Sequence, residues 1–308
     1  MELAGDRIVQ YSSQENSRGG SSERREERCS AARAYLDPAE GRKNLTVFQN
    51  AYVERVILAG KKATGVQASI GNKSQRINAA REVIVCAGAL QSPQVLLLSG
   101  IGAPDKLTPH GISVAHDLPG VGENLHDHLM LRPIYKINGL KSLNKKINSL
   151  FGNLLIGLEY VFKRSGPMTM GASQLCMFAK SDPSLELPDL QWHVQPMSMD
   201  TLGATKNHDF HAFTPTVSNI RPTSRGHVNI TNKDSRIYAK VKLNYLSTEH
   251  DRMIAAKGLK LTRKIVMESE TFKKYNPEEY RPGININDDE ELVKAGSDFT
   301  QTIFHPVG

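Results

Sequence analysis

Cysteine is scarce. The 308 residues hold three, Cys29, Cys86 and Cys176, far apart, odd in number and in no CxxC pair. That excludes a disulfide framework and a cysteine zinc site, and leaves a reducing compartment as the default. Long apolar runs are missing as well. The longest, NLLIGLEYVF at 153–162, is interrupted by Glu159 and falls short of the roughly 18 residues a membrane span needs, so it is expected to be a core helix and the chain carries no transmembrane segment. The opening MELAGDRIVQYSS lacks a basic stretch followed by an apolar one, so no secretory signal is visible. No internal repeat occurs, and no GxGxxG string.

What is present fits a globular chain of one or two domains, with 39% hydrophobic and 23% charged residues. The net charge of +7 is partly local, in RGGSSERREERCSAARAYL at 18–36. Acids alternate with bases there and no aromatic stacking pattern accompanies them, which reads as a solvated segment and against nucleic-acid binding.

Residues 1–28 are poorly patterned, and CSAARAYLDPAE suggests a short helix stopped at Asp37-Pro38. Strand-like runs follow: YVERVIL alternates, AGKKATG links, and VQASIGNKSQRINA reads as a hairpin around Gly71-Asn72. The period then changes. Val83 to Cys86 form a continuous apolar run, expected as a strand buried on both faces of a parallel sheet, with Cys86 a buried small hydrophobe. Ala87-Gly88-Ala89 makes a small-residue turn, and Ser92 as N-cap, Pro93 at N1 and Gly100 past the end predict a helix over 93–99. From about 130 onward, a helix ending at Gly166-Pro167 leads into PDLQWHVQPM, HAFTPTVSNI, GHVNITN and IYAKVKLNYL, which predict a second, antiparallel sheet domain. A helix after Thr248 begins with a capping-box-like Thr248/Asp251 pair and puts Ile254, Leu261 and Ile265 near one face.

Strand, small-residue turn and helix N-terminus place backbone N–H groups where a phosphate or flavin can approach without a Cβ in the way. The strings GIGAPD and GVGENL fail the dinucleotide test, since neither follows a strand nor has a third glycine. His116, His126, Asp127 and His128 could be read as metal ligands. Histidines at i and i+2 point the same way only on a strand, however, and this segment reads as a loop, so no metal site is assigned. His193 is read as one face of an alternating strand.

Residues 87–102, AGALQSPQVLLLSGIG, resemble the second signature of the glucose-methanol-choline (GMC) family of FAD-dependent alcohol oxidoreductases, through Gly88, Ala89, Ser92, Pro93, Leu96, Leu97, Ser99, Gly100, Ile101 and Gly102. RCSAARAYLDPA, NLTVFQNAYVERVIL, LPGVGENLHDHL, RSGPMT, SRGHVNI, NYLSTEHDRM and TIFHPVG follow in the family's order, closest to its choline dehydrogenase-like branch, over roughly 29–308. Residues 1–28 are not expected to fit. The resemblance implies an α/β plus α+β fold, with an incomplete Rossmann-like FAD-binding domain and a second antiparallel-sheet substrate domain. Its expected boundaries are 1–28 for the unpatterned segment, 29–130 for the partial FAD domain, 131–250 for the substrate sheet, and 251–308 for a helix and return to the FAD domain.

The resemblance further implies FAD as cofactor, with Val53 contacting its adenine end, Ala87, Gly88 and Ala89 as a turn beside it, and Asn124 in the LPGVGENLHDHL loop near the flavin. His305 matches the active-site histidine that handles the alcohol's hydroxyl proton. The substrate class is a small alcohol, choline or another primary alcohol, and the electron acceptor is oxygen, a quinone or another oxidant. Two features of the family are missing: the opening βαβ unit with GxGxxG, and the stretch after HPVG that supplies a second catalytic residue. The 308 residues alone are therefore expected neither to retain FAD tightly nor to turn over alcohol. The alternative is a non-catalytic remnant or binding protein on the same scaffold.

Overall fold

The alternating run after residue 50 pairs with itself. The computed structural model describes residues 32–308 except Asn72, Met170, Ala172, Leu202, Gly203 and Thr205, so the 1–28 segment, Cys29 and the Asn72 half of the hairpin turn lie outside the described residues. β1 (Ala51–Ala59), β2 (Lys62–Ile70) and β3 (Lys73–Asn78) form an antiparallel sheet. Ala59 faces Lys62 and Ile70 faces Lys73, with Gly60 and Gly71 in the left-handed conformation such tight turns demand.

Next come α1 (Gly88–Leu98), α2 (Pro104–Leu107), β4 (Leu129–Leu131), β5 (Ile134–Lys136), α3 (Leu143–Asn148) and α4 (Leu150–Lys163). β6 (Leu175–Ala179), β7 (Leu190–Gln195), β8 (Ala212–Asn219), β9 (His227–Asn229) and β10 (Lys240–Lys242) lead to α5 (Glu249–Glu268), α6 (Glu270–Lys273), β11 (Glu278–Arg281), α7 (Asp289–Ser297) and β12 (Thr300–Thr302).

The chain divides into two units. One comprises the stretch ending at Asp127 together with Ser224–Ser247 and His305–Gly308. Its core joins Leu97, Leu98, Leu107, Val121 and Ile230. α1 ends in a Schellman motif, in which Gly100 N–H donates to Leu97 O and Ile101 N–H to Leu96 O, both at 3.0 Å. Gly100 sits at φ +80°, and a Cβ there would lie 2.5 Å from Ser113 O, so the predicted glycine terminus stands for two physical reasons.

The other unit joins His128–Thr223 with Thr248–Phe304. β8 is its central strand, flanked by β7 along one edge and by β4 and β5 along the other. α5 packs on this sheet through Gly258, where a Cβ would come 3.1 Å from Val217. The buried Trp192 donates its indole N–H to Thr262 Oγ1 at 2.7 Å. Thr248 caps α5 by accepting from Asp251 N–H, but the buried face runs through Ile254, Gly258, Leu259, Thr262 and Val266, with Leu261 and Ile265 only half-buried.

Several expectations are corrected. Val83 to Cys86 are not a strand, and Ile84 and Cys86 are exposed. An apolar run becomes a buried parallel strand only with hydrogen-bonded neighbours, and among the described residues no strand pairs with it. α1 starts at Gly88 instead of 93, and Pro93 lies inside it. The helix forfeits only the one bond that Pro93 would have donated to Ala89 O. Among the described residues β9 pairs only with β10, and not with the sheet centred on β8. The expected core helix around 153–162 is α4, of which only Gly152 and Ile156 are buried.

Candidate functional site

The last residues of the chain fold back onto the NLHDH loop. His126 N–H donates to Val307 O at 2.8 Å, and Val307 N–H returns a bond to His126 O at 2.9 Å. His305 N–H donates to Asp127 Oδ1 at 3.1 Å, and the Tyr245 hydroxyl donates to Asp127 Oδ2 at 2.5 Å. Asp127 is 4% exposed, and charge-assisted bonds of this kind are the stronger class. His305 is thus positioned through its backbone while its side chain is exposed.

The loop is itself fastened. Leu125 and Gly226 exchange two backbone bonds, and Val228 N–H donates to Gly122 O at 2.7 Å. Gly226 is required by space: a Cβ would lie 1.8 Å from Lys242 O. Asn124 adopts φ +61°, a conformation asparagine tolerates, and its Oδ1 accepts from Arg225 Nε at 2.9 Å.

A second feature lies where β1 meets α1. Ala51, Tyr52, Val53, Glu54, Ala87 and Gln91, with Gln94, Val95, Leu98 and Ser235, line a cavity of about 180 Å³. The buried Gln94 holds one wall by donating to Ile237 O at 2.8 Å and Ser235 O at 3.3 Å. Ser99 ties helix to strand, accepting from Val56 N–H at 2.8 Å and donating to Val95 O at 2.6 Å. No side chain caps α1, whose N-cap is Ala87. A Cβ at Gly88, which sits at φ +81°, would meet nothing within 4 Å.

The structure therefore brings Val53 and Ala87 together on one cavity, beside Gly88 and Ala89, and brings His305 to the loop carrying Asn124. Asp127, which holds the His305 backbone, and Tyr245, which holds Asp127, carried no role predicted from the sequence. Asp127 lay inside the quoted LPGVGENLHDHL string and Tyr245 inside NYLSTEHDRM, so motif membership was the available signal. Gln94 and Ser99 gave none beyond the signature itself. Three of the four candidate metal ligands turn to separate partners: His126 Nδ1 to Asn124 O at 2.7 Å, His128 Nε2 to Ile220 O at 3.1 Å, and Asp127 to Tyr245 and His305. His193 lies on β7 opposite Cys176 and Thr216.

Comparison with known proteins gives a consistent pattern. Residues 6–130 and 222–308 match the N- and C-terminal profiles described as GMC oxidoreductase. The first match begins at residue 6, which corrects the expectation that 1–28 falls outside the resemblance. The chain is 38% identical over 281 residues to an oxygen-dependent choline dehydrogenase of Pectobacterium carotovorum, covering 91% of this chain and 49% of that protein. It is 37% identical over 283 residues to one of Pseudomonas fluorescens SBW25, with the same coverage. The chain thus spans about half the length of the curated relatives it matches. Among solved structures, a formate oxidase superposes with TM-score 0.79 at 23% identity over 87% of this chain and 52% of its own. Pyridoxine 4-oxidase of Mesorbium loti gives 0.75 at 24% over 92% and 51%. At such identity these two establish the fold.

Proposed function

The chain belongs to the GMC oxidoreductase family, and from that premise we propose that it carries the adenine-side and proton-handling parts of an FAD-dependent alcohol-oxidising site. The observation that carries this reading is the pinning of His305 through Asp127 and Tyr245, together with the double bond-pair between His126 and Val307. It keeps an exposed imidazole at one place on a fastened loop.

The cavity residues fit part of FAD. A small-residue helix start without a side-chain cap offers backbone N–H groups to anionic or polar ligand atoms. A volume of about 180 Å³ is below the range of about 300–1,000 Å³ usual for whole drug-sized ligands, so it suits one end of a dinucleotide. Val53, Ala87, Gly88 and Ala89 would hold that end, and Asn124 would stand in the loop nearer the reacting ring. FAD, when bound, accepts the hydride of an alcohol oxidation. His305 takes the hydroxyl proton at a ring nitrogen, since an alcohol carbon gives up hydride readily only as its oxygen is deprotonated. Asp127 acts by positioning, at the His305 backbone, and Tyr245 acts through Asp127.

Choline or another primary alcohol is the proposed substrate class, giving an aldehyde, with oxygen, a quinone or another oxidant as final acceptor. The aromatic pair Phe210 and Tyr280 already carries the Lys136 ammonium, 5.2 and 4.9 Å from the two ring centres, so it offers little to a quaternary ammonium.

We further propose that the 308 residues by themselves hold FAD weakly and do not turn over alcohol. The small cavity and the Val83 to Cys86 run, unpaired among the described residues and with Ile84 and Cys86 exposed, support this. Purification and titration test both parts. Weak, saturable FAD binding that Ala87→Trp abolishes is the expected result. A flavin absorbance band that copurifies and bleaches on adding alcohol would overturn the second part, and FAD binding indifferent to Ala87→Trp would overturn the first.

A further inference from the structure

α4 presents its apolar side to solvent. Leu150 is 91% exposed, Phe162 79%, Phe151 68% and Val161 60%, and Leu154, Leu155 and Leu158 are exposed as well. At about 100° per residue, these seven positions fall within one arc of about 140°. The buried Gly152 and Ile156 lie on the opposite side. An exposed cluster of this composition marks an interaction surface, because scattered single residues would not align.

The helix is held in this orientation. Asn144 of α3 is buried, donates to Ser198 Oγ and Phe210 O, and accepts from Ser198 N–H. Asn148 and Asn207 exchange two bonds. Ser149 caps α4 by accepting from Gly152 N–H, and Asn153 Nδ2 donates to Ile147 O at 2.6 Å. A Cβ on Gly152 would lie 2.0 Å from Lys146 O, so only glycine lets α4 turn back so tightly on α3.

Charge selects the occupant. Over residues 141–164 the cations are Lys141, Lys145, Lys146, Lys163 and Arg164, and the only acid is Glu159. Glu159 is engaged by Lys146 at 3.9 Å and by the Ser165 hydroxyl at 3.2 Å. Exposed cations therefore stand at both ends of an exposed Leu/Phe face. A protein partner would match such a face with apolar residues ringed by acids. A bilayer with anionic headgroups supplies both properties at once, and a basic amphipathic helix of 14 residues, shorter than a span, lies in its interface plane.

We propose that the α3–α4 hairpin is a monotopic membrane-docking element, with α4 lying in the headgroup region of an anionic bilayer and its Leu/Phe face among the acyl chains. No helix among the described residues is long and apolar enough to cross a membrane.

Co-sedimentation of the full chain with large vesicles tests this. Phosphatidylcholine vesicles containing phosphatidylserine are expected to bind it, phosphatidylcholine alone to bind at least about tenfold less, and added salt to release it. Phe151→Ser/Phe162→Ser and Lys145→Glu/Lys163→Glu should each weaken binding about tenfold or more while leaving the circular dichroism melting curve unchanged. No binding to the anionic vesicles, or binding untouched by Phe151→Ser/Phe162→Ser, overturns the proposal. So does sedimentation equilibrium showing a dimer that this double variant dissociates, because a second copy would then cover the face.

Discussion

His305 is set by its backbone, and the residues that set it are distant in sequence. Asp127 lies 178 positions from His305 and 118 from Tyr245. A motif match could therefore point to the histidine, whereas the carboxylate that anchors it became visible only when three segments met. Asp127→Ala removes both acceptors and leaves two donors to find others, a loss of about 1–3 kcal/mol. Hydrogen exchange should then accelerate at the His305 and Val307 amides by about tenfold or more, and less in Tyr245→Phe, which keeps the bond to His305.

A second test at this scale concerns the buried pair in the other unit. Arg263 reaches Glu279 through Nε at 2.7 Å and Nη2 at 2.8 Å, and the Glu279 side chain is only 1% exposed. Arg263→Met strands that carboxylate and should cost about 3–5 kcal/mol in denaturant unfolding. Burial, followed by the Glu279 charge, pushes the Tyr135 phenol well above its ordinary value of 10.0. A group whose folded value is raised contributes fully below its unfolded value, so stability should fall as pH rises beyond 10.0, and Tyr135→Phe should flatten that fall.

Elements were legible at their ends and by their period, and less so in what they face. The glycine terminus of α1 was readable because Gly100 needs both a left-handed backbone and empty space. Its start was not, because Ser92 and Pro93 mimic a cap that the helix overrides at the expense of one bond. Gly100→Ala meets Ser113 O and an unfavourable φ, and should destabilise by about 1–3 kcal/mol, read from the urea midpoint. α4 was recognised as an apolar helix, but periodicity reports only that one side is apolar. Whether that side faces a core or the outside depends on Asn144, Ser149 and Gly152, which fasten the other side. Val83 to Cys86 failed for a related reason: a continuous apolar run describes a strand only when neighbours exist to pair with it.

At the scale of the molecule, the family assignment came from short strings in order, and these same strings build the local contacts: the signature forms α1 and its Schellman turn, and HPVG docks on NLHDH. The division into units did not follow linear segments. Ser224–Ser247 joins the unit of the cavity, and Phe304 and His305 fall on opposite sides of the division. Such interleaving has no signature in composition, because both units draw on the same alternation of apolar and polar residues. The residues proposed for the adenine end of FAD can be tested together by titrating FAD into the isotopically labelled chain while following backbone amide resonances. Saturable shifts concentrated at Val53, Ala87, Gly88 and Ala89, lost in Ala87→Trp, are expected. Shifts that leave these four amides unmoved while others respond would contradict the assignment.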